Sequence, residues 1–356
     1  MSLKSLALRT SRMLGLFALA QWITRKQLRI LCYHGFSVGD EYKYMPMMFM
    51  RSATFERRMG VLKKRRLEVV SLSEGVHRLN NASLTRAATV ITLDDGWASN
   101  LSIGLPILQR YGYPACIYVT SEHLGSNPHV FNVAFHYMLL STTVESLVLS
   151  GIHPALDGVY DFRADLIKVI KNVVGKVEEH FSFGERIAVL RKIAPSLGFR
   201  LDDVLQGDRF RLMTDDELRA IYRSGIDIQL HTHSHRLPKN DFDTMAREIS
   251  HNRAAIKNAI GETKDHFCYP SGEYSREHPE WLEQLGIASA TTCDSGFNRV
   301  GSQAMLLKRS LDSDEFSDLE FEAEVSGFKE LIRIIRSTFG RGAQHATTSE
   351  SSPTTA

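Results

Sequence analysis

The chain has 356 residues and a mass of 40.2 kDa, enough for one large α/β barrel or two modest domains around a sizeable core. With 43% hydrophobic and 24% charged residues it has an ordinary globular composition, which excludes a fibrous or low-complexity protein. A net charge of +2 argues against wrapping a polyanion, so nucleic acid is not an expected partner.

That sum hides an asymmetry. No acid precedes Asp40, and Lys4, Arg9, Arg12, Arg25, Lys26 and Arg29 give the first 39 residues +6, leaving −4 for the remainder. Among these cations the apolar run Met13 to Ile23 is too short to cross a bilayer as a helix. It fits a secretory signal with small residues at Ala18 and Ala20, or a basic amphipathic helix over residues 3–26 that packs on the domain or rests on an anionic membrane face. Trp22 and Ile23 continue the run past the cleavage point such a signal would need, which favours the helix. Residues 1–27 are therefore expected to form a basic amphipathic segment, with the protein cytoplasmic or peripheral to the inner membrane face. Cys32, Cys116, Cys268 and Cys293 lie in or beside apolar runs without a CxxC pair and read as buried thiols, which leans towards a reducing compartment.

From Leu28 onward, short β-rich runs alternate with helix-like segments, as expected of parallel strands joined by crossover helices. The strand candidates are 28–33, 67–72, 88–93, 115–120, 226–230, 266–269, 287–292 and 305–308; eight such runs suggest a barrel. Helices are predicted over 54–66, 99–111, 215–224, 241–260 and 277–285, with Thr214 as an N-cap before three acids. Residues 126–211 break the rhythm with helical patterning and no convincing strand, and read as a helical insertion covering one barrel mouth. A last helix is expected over 313–339, and the Ser/Thr/Gly/Ala-rich tail 340–356 lacks the apolar surface to fold. The fold class is therefore α/β, a (β/α) barrel of parallel strands over 28–312 with a mostly helical insertion.

Four places carry residues suited to chemistry. The strand Ala88 to Leu93 ends in Asp94-Asp95-Gly96, two adjacent carboxylates at the carboxy end of a parallel strand, where barrel sites sit; alone, the triplet is also ordinary turn chemistry. His231-Thr-His-Ser-His235 follows directly on the next apolar run. In a helical turn His231 and His235 share a face, and on a continuing strand all three histidines align. Two histidines and a carboxylate suit Zn²⁺ or a similar divalent ion with a position left open for water. His34 stands where the first strand meets Gly35, a place more often filled by a packing or capping residue than a catalytic one. Tyr269-Pro-Ser-Gly272 ends another strand in a turn that can aim backbone N–H groups at an oxyanion, or simply punctuate a loop.

In this order, Thr92-Leu-Asp-Asp-Gly96, His231-Thr-His-Ser-His235 and Tyr269-Pro-Ser-Gly272 resemble the polysaccharide deacetylase family, the NodB-homology or carbohydrate esterase family 4 domain. The resemblance covers roughly residues 28–312 without the insertion. It implies a distorted (β/α) barrel that hydrolyses N-acetyl groups with one divalent metal, Zn²⁺ first and Co²⁺ or Ni²⁺ next. Matched residue by residue, it makes Asp94 the general base and Asp95, His231 and His235 the metal ligands, and puts His233 on a variable position. Tyr269, Pro270 and Gly272 fall on the substrate and oxyanion side.

Two departures stand out. Many members carry a base-orienting Arg where this chain has Cys268, and Arg309 at a later strand end is the candidate substitute. The late Leu-x-His motif that supplies the general acid is absent, but a circularly permuted branch, similar to enzymes acting on poly-N-acetylglucosamine, takes that histidine from its first strand; Cys32-Tyr-His34-Gly resembles it. The expected function is metal-dependent removal of N-acetyl groups from an amino-sugar-containing saccharide in cell-surface or exopolysaccharide biosynthesis. The rival reading is a non-catalytic metal- and sugar-binding module on the same fold.

Overall fold

In the computed structural model, residues 3–126 and 128–336 are described. Seven parallel strands close into a barrel: β1 Leu28–Tyr33, β2 Ala88–Leu93, β3 Cys116–Val119, β4 Asp227–Leu230, β5 His266–Cys268, β6 Ser289–Ser295 and β7 Leu307–Leu311. Each pairs with the next in sequence, and β1 closes the ring on β7 at Leu31–Ser310 and on β2 from Leu28–Ala88 to Tyr33–Leu93. The eighth predicted strand shrinks to Glu68–Val69, which pairs only with the start of β2 and takes no part in closure.

Period-two alternation sorts the barrel residues. Leu31, Ile91, Ile117, Ile228 and Phe267 share one parity and pack outward against the surrounding helices. Ile30, Val90, Tyr118, Cys268 and Leu307 have the other and meet inside the ring. Helix Leu72–Asn80 contributes Leu72, Val76 and Leu79 to this inner cluster and plugs the amino end of the ring. Its Gly75 is required by the close approach, since a Cβ there would lie 2.9 Å from Val90 and 3.1 Å from Leu28. Carried upward, the inward parity delivers Cys32, His34, Asp94, His231 and Arg309 to the carboxy mouth, so one alternation rule selects the side chains that meet there.

The outer helices form close to expectation. Ser52–Lys64, Asp215–Arg223, Phe242–Ile260 and His278–Gln284 all appear, and Thr214 with Glu217 makes a full capping box. The helix predicted at 99–111 instead opens as a π turn over Asn100–Gly104 before Leu105–Tyr111; Pro106 has no N–H to give to an α-helical bond there.

The segment 126–211 leaves the barrel through a neck where His129 bridges Arg211. It builds its own core from Phe135, Met138, Leu147, Val173, Val177 and Leu190. Helices Phe131–Ser141, Leu166–His180 and Phe183–Ile193 dominate it, but it also holds an antiparallel hairpin, Ser146–Leu149 with Gly158–Asp161, where no strand was expected. Each hairpin strand is four residues long and turns Val148 or Val159 to solvent, so neither carries enough apolar pattern to announce itself.

The single helix expected over 3–26 is two, Leu3–Met13 and Leu16–Ile23, broken at Gly15 with φ 75°. They pack through Leu8 and Phe17 against Ala323 and Phe328, and Arg12 reaches Glu322 at 3.1 Å. The predicted C-terminal helix is likewise divided: Asp318–Val325 stops at Gly327, φ 81°, and a second helical run covers 328–336. The expectations for 337–356, including the unfolded tail, lie outside the described residues.

Candidate metal centre and active site

Asp94 and Arg309 form the buried heart of the mouth. Both are almost fully enclosed, and the guanidinium grips the carboxylate with two bonds, Nη1 to Oδ1 and Nη2 to Oδ2, each 2.7 Å. Arg309 is itself fixed by donating Nε to the Thr292 carbonyl at 2.9 Å and Nη1 to Thr92 Oγ1 at 3.2 Å. Burial pushes the Asp94 carboxyl upward, but the Arg309 charge and hydrogen bonds outweigh it and hold the pKa at about 2. Cys268 Sγ stands 3.1 Å from Arg309 Nη2 and 3.5 Å from Asp94 Oδ2. The small thiol leaves the space that the Arg309 head occupies, so the arginine absent at 268 is supplied from β7.

Asp95 turns out of β2 with φ 74°, a left-handed conformation rare outside glycine, which sends its carboxylate the opposite way from that of Asp94. Its Oδ1 lies 3.3 Å from His231 Nε2 and 3.4 Å from His235 Nε2, while Oδ2 accepts from Trp97 Nε1 at 2.9 Å. Burial opposes ionisation of Asp95, yet the bonds to the two histidines hold it well below the usual carboxylate range. The His231–His235 run is neither helical turn nor strand: Thr232 at φ 64° and His235 at φ 58° fold it into a tight loop that brings the two rings to a centroid separation of 4.9 Å. Such conformations cost of order 1–3 kcal/mol each and persist where surrounding structure enforces them. His233 is turned away, its Nδ1 3.0 Å from Ser121 Oγ.

The ligand atoms of Asp95, His231 and His235 lie within 4.8 Å of one another, as do those of Cys32, His34 and Asp94. His34 is thus half-buried beside the Asp94 carboxylate, at the end of β1. The Tyr269–Gly272 turn is present, with Ser271 at φ 55° and Gly272 at φ 69°; a Cβ on Gly272 would lie 2.5 Å from that of Cys293. The amides expected for an oxyanion are otherwise committed. Tyr269 donates to the Thr291 carbonyl at 3.1 Å, Gly272 donates to Tyr269 at 2.9 Å, and Pro270 has none. Only Ser271 keeps an amide without such a bond among the described residues of the turn.

Two supporting residues escaped the sequence reading. Asn252, fully buried, accepts from the His231 amide at 3.0 Å and donates to the Val119 carbonyl at 2.9 Å and Ser121 Oγ at 3.0 Å, tying the histidine loop to β3. Its signal was a polar residue at helical spacing between Ile249 and Ile256 on a buried face. Trp97, two residues after Asp95, is the other. Asp95, Trp97 and His235 open into a cavity of about 170 Å³ whose far wall comes from the insertion, including Asn132, Glu178 and Arg186. Glu178 is paired there with Arg236 from the histidine loop.

Residues 174–290 match the polysaccharide deacetylase family model, a span that includes both His231–His235 and Tyr269–Gly272. Over 143 residues the chain is 25% identical to the YxkH protein of Bacillus subtilis (strain 168), which its name places among the polysaccharide deacetylases; the stretch is 37% of this chain and about half, 49%, of that relative's length. Among solved structures, the Streptococcus pyogenes deacetylase PplD, in complex with acetate, superimposes with a TM-score of 0.56 at 14% identity, covering 85% of this chain and 99% of its own. IcaB from Ammonifex degensii gives 0.56 at 16%, covering 84% and 97%, and a de-N-acetylase from Aggregatibacter actinomycetemcomitans gives 0.50 at 18%, covering 82% and 97%. At these identities the likeness is one of fold.

Proposed function

We propose that this chain, which matches the polysaccharide deacetylase family model over residues 174–290, is a metal-dependent hydrolase that removes N-acetyl groups from an amino-sugar-containing saccharide of the cell surface or an exopolysaccharide. The observation that carries the reading is the adjacency of two clusters at one barrel mouth, Asp95 with His231 and His235, and Asp94 with Arg309 and His34.

The first cluster suits a divalent ion by its donor chemistry. His231 gives its Nδ1–H to the Cys268 carbonyl at 2.9 Å, so an ion taking the place of the Nε2 proton would meet the Nε2 lone pair beside Asp95, and Trp97 holds the second Asp95 oxygen. Two imidazoles and a carboxylate match Zn²⁺, with Co²⁺ or Ni²⁺ as alternatives. Bound there, the ion supplies Lewis acidity towards water and the acetyl carbonyl. Asp94, kept ionised by Arg309, accepts the proton of the attacking water. His34 gives a proton to the departing nitrogen, so that acetate and a free amino sugar leave. The insertion supplies one wall of the cavity onto which these groups open. A non-catalytic module on this fold is motivated by the missing arginine at Cys268, and the grip of Arg309 on Asp94 argues against that reading.

A peripheral membrane location belongs to the same proposal. Eight of the 17 large hydrophobic side chains exposed among the described residues fall within Leu3 to Ile23, including Met13 at 87% and Trp22 at 62% exposure, beside Arg9, Arg25 and Lys26. No helix among the described residues is long and apolar enough to cross a membrane. An apolar face fringed by cations suits an anionic bilayer surface.

The test of the activity is acetate release from a panel of N-acetylhexosamine oligomers by chelated protein given back Zn²⁺, Co²⁺ or Ni²⁺. Release that depends on the added ion supports the reading. No release with any ion on any oligomer overturns it.

A further inference from the structure

Next to the reaction cavity runs a second groove of about 510 Å³. Its walls are Met45, Met47 and Met48 from the loop after β1, and Val133, Ile170 and Val174 from the insertion helices. The two spaces share Met48, Asn132 and Val133 as a common border, so a molecule seated at the metal centre reaches the groove without leaving the protein surface.

The groove is built rather than incidental. Arg209, at the base of the insertion, pairs with Glu41 and with Asp40 at 3.2 Å, and Tyr137 donates its hydroxyl to Asp40 at 2.6 Å. Tyr44 sets its ring edge-on to Tyr137 at 5.4 Å, and Ser313 Oγ bonds the Pro46 carbonyl at 3.2 Å from the other side. The loop is therefore clamped from Asp40 to Pro46, while Met47, directly after the last clamp, stays 40% exposed.

Its chemistry does not suit more sugar. Hydroxyl-rich rings ask for several hydrogen-bonding groups, and this lining offers few polar side chains, among them Asn132, His136 and Lys171. Three methionines beside branched aliphatic residues make an adaptable apolar bed. Resting on the deacetylase reading above, we propose that the groove holds an apolar aglycone, so that the saccharide this chain acts on is carried on a long alkyl or isoprenoid chain.

The experiment compares methyl, octyl and dodecyl β-glycosides of N-acetylglucosamine, each below its micelle concentration. KM should fall roughly tenfold or more from methyl to dodecyl, since each methylene buried adds to binding. Met47→Glu and Val174→Gln, alone and combined, should remove that gain and leave the methyl glycoside unchanged, which also certifies folding. Equal KM values across the series, or a chain-length gain that survives both substitutions, overturn the proposal. If no glycoside is turned over, the deacetylase reading is what fails, and calorimetric binding of the dodecyl glycoside to Asp94→Asn protein still decides the groove. Binding weakened by Val174→Gln upholds it; no binding, or binding indifferent to that substitution, rejects it.

Discussion

Replacing Arg309 by Met strips the buried Asp94 of its bidentate partner while roughly keeping the volume of the side chain. The structure allows two independent sizings of the loss. The Asp94 pKa of about 2 lies below its unfolded value near 3.9, so its contribution is full above about pH 4 and disappears as the pH falls towards 2; at neutral pH it amounts to roughly 2–3 kcal/mol. Breaking a buried pair from one side costs more, about 3–5 kcal/mol, because the remaining charge stays desolvated. Arg309→Met should therefore lose about 3–5 kcal/mol in urea unfolding of metal-free protein at pH 7. Combining it with Asp94→Leu should restore part of that loss, since no uncompensated charge then remains. Arg309→Lys should fold but turn over on the order of 10-fold more slowly or worse, because a point charge cannot hold both carboxylate oxygens. A double variant whose loss equals the sum of the single ones would refute the claim that the two charges are retained for each other.

Further outcomes follow from individual side chains. His34→Ala should depress amide hydrolysis by about 10²–10⁴-fold, far more than hydrolysis of an aryl acetate whose leaving group needs no proton; equal loss on both substrates would reassign His34 to positioning. Ala at Asp95, His231 or His235 should lower metal occupancy measured by atomic emission, whereas His233→Ala should leave about one ion bound. Burial holds the His123 imidazole down at about 4, below its unfolded value near 6.5, so the fold is fully favoured above that value and loses roughly 2 kcal/mol by about pH 5. His123→Gln should flatten that part of the stability profile, and an unchanged slope would show that His123 is not the group being titrated. Vesicle flotation should recover the protein with anionic but not neutral lipid, with less recovered at high salt and after Trp22→Ser; recovery indifferent to lipid charge would dismiss the N-terminal face as a membrane contact.

Much of this arrangement can be read from sequence because it depends on local rules. Each barrel strand is announced by a short β-rich run, and the abrupt change from apolar to Asp94-Asp95-Gly96 or His231 marks where a strand reaches the mouth. What sequence hides is pairing at long range. Its strand-end position makes Arg309 a candidate to orient the base, but nothing in the local pattern indicates its two-bond grip on a carboxylate 215 positions away, and Cys268 looks like a loss until the space it frees is found occupied. The His231–His235 loop follows neither regular periodicity, because its contacts rest on two left-handed residues that local propensity disfavours. The hairpin in the insertion and the helix break at Gly327 fail for another reason: both are fixed by tertiary packing, with too few residues to leave a pattern.

Closure of the ring by its first and last strands governs the order in which the molecule can mature. During synthesis β1 and β2 emerge early and can pair at once, but Asp94 stands between them and a neighbour that is more than two hundred residues from being made. Until β7 docks along Leu31–Ser310, that carboxylate is hydrated and the barrel carries an open edge on β1. The reactive centre is thus assembled last, by the same step that seals the sheet, and contacts of such long sequence separation make that step slow. A chain cut short before Arg309 would retain every histidine and both aspartates of the site without ever forming it.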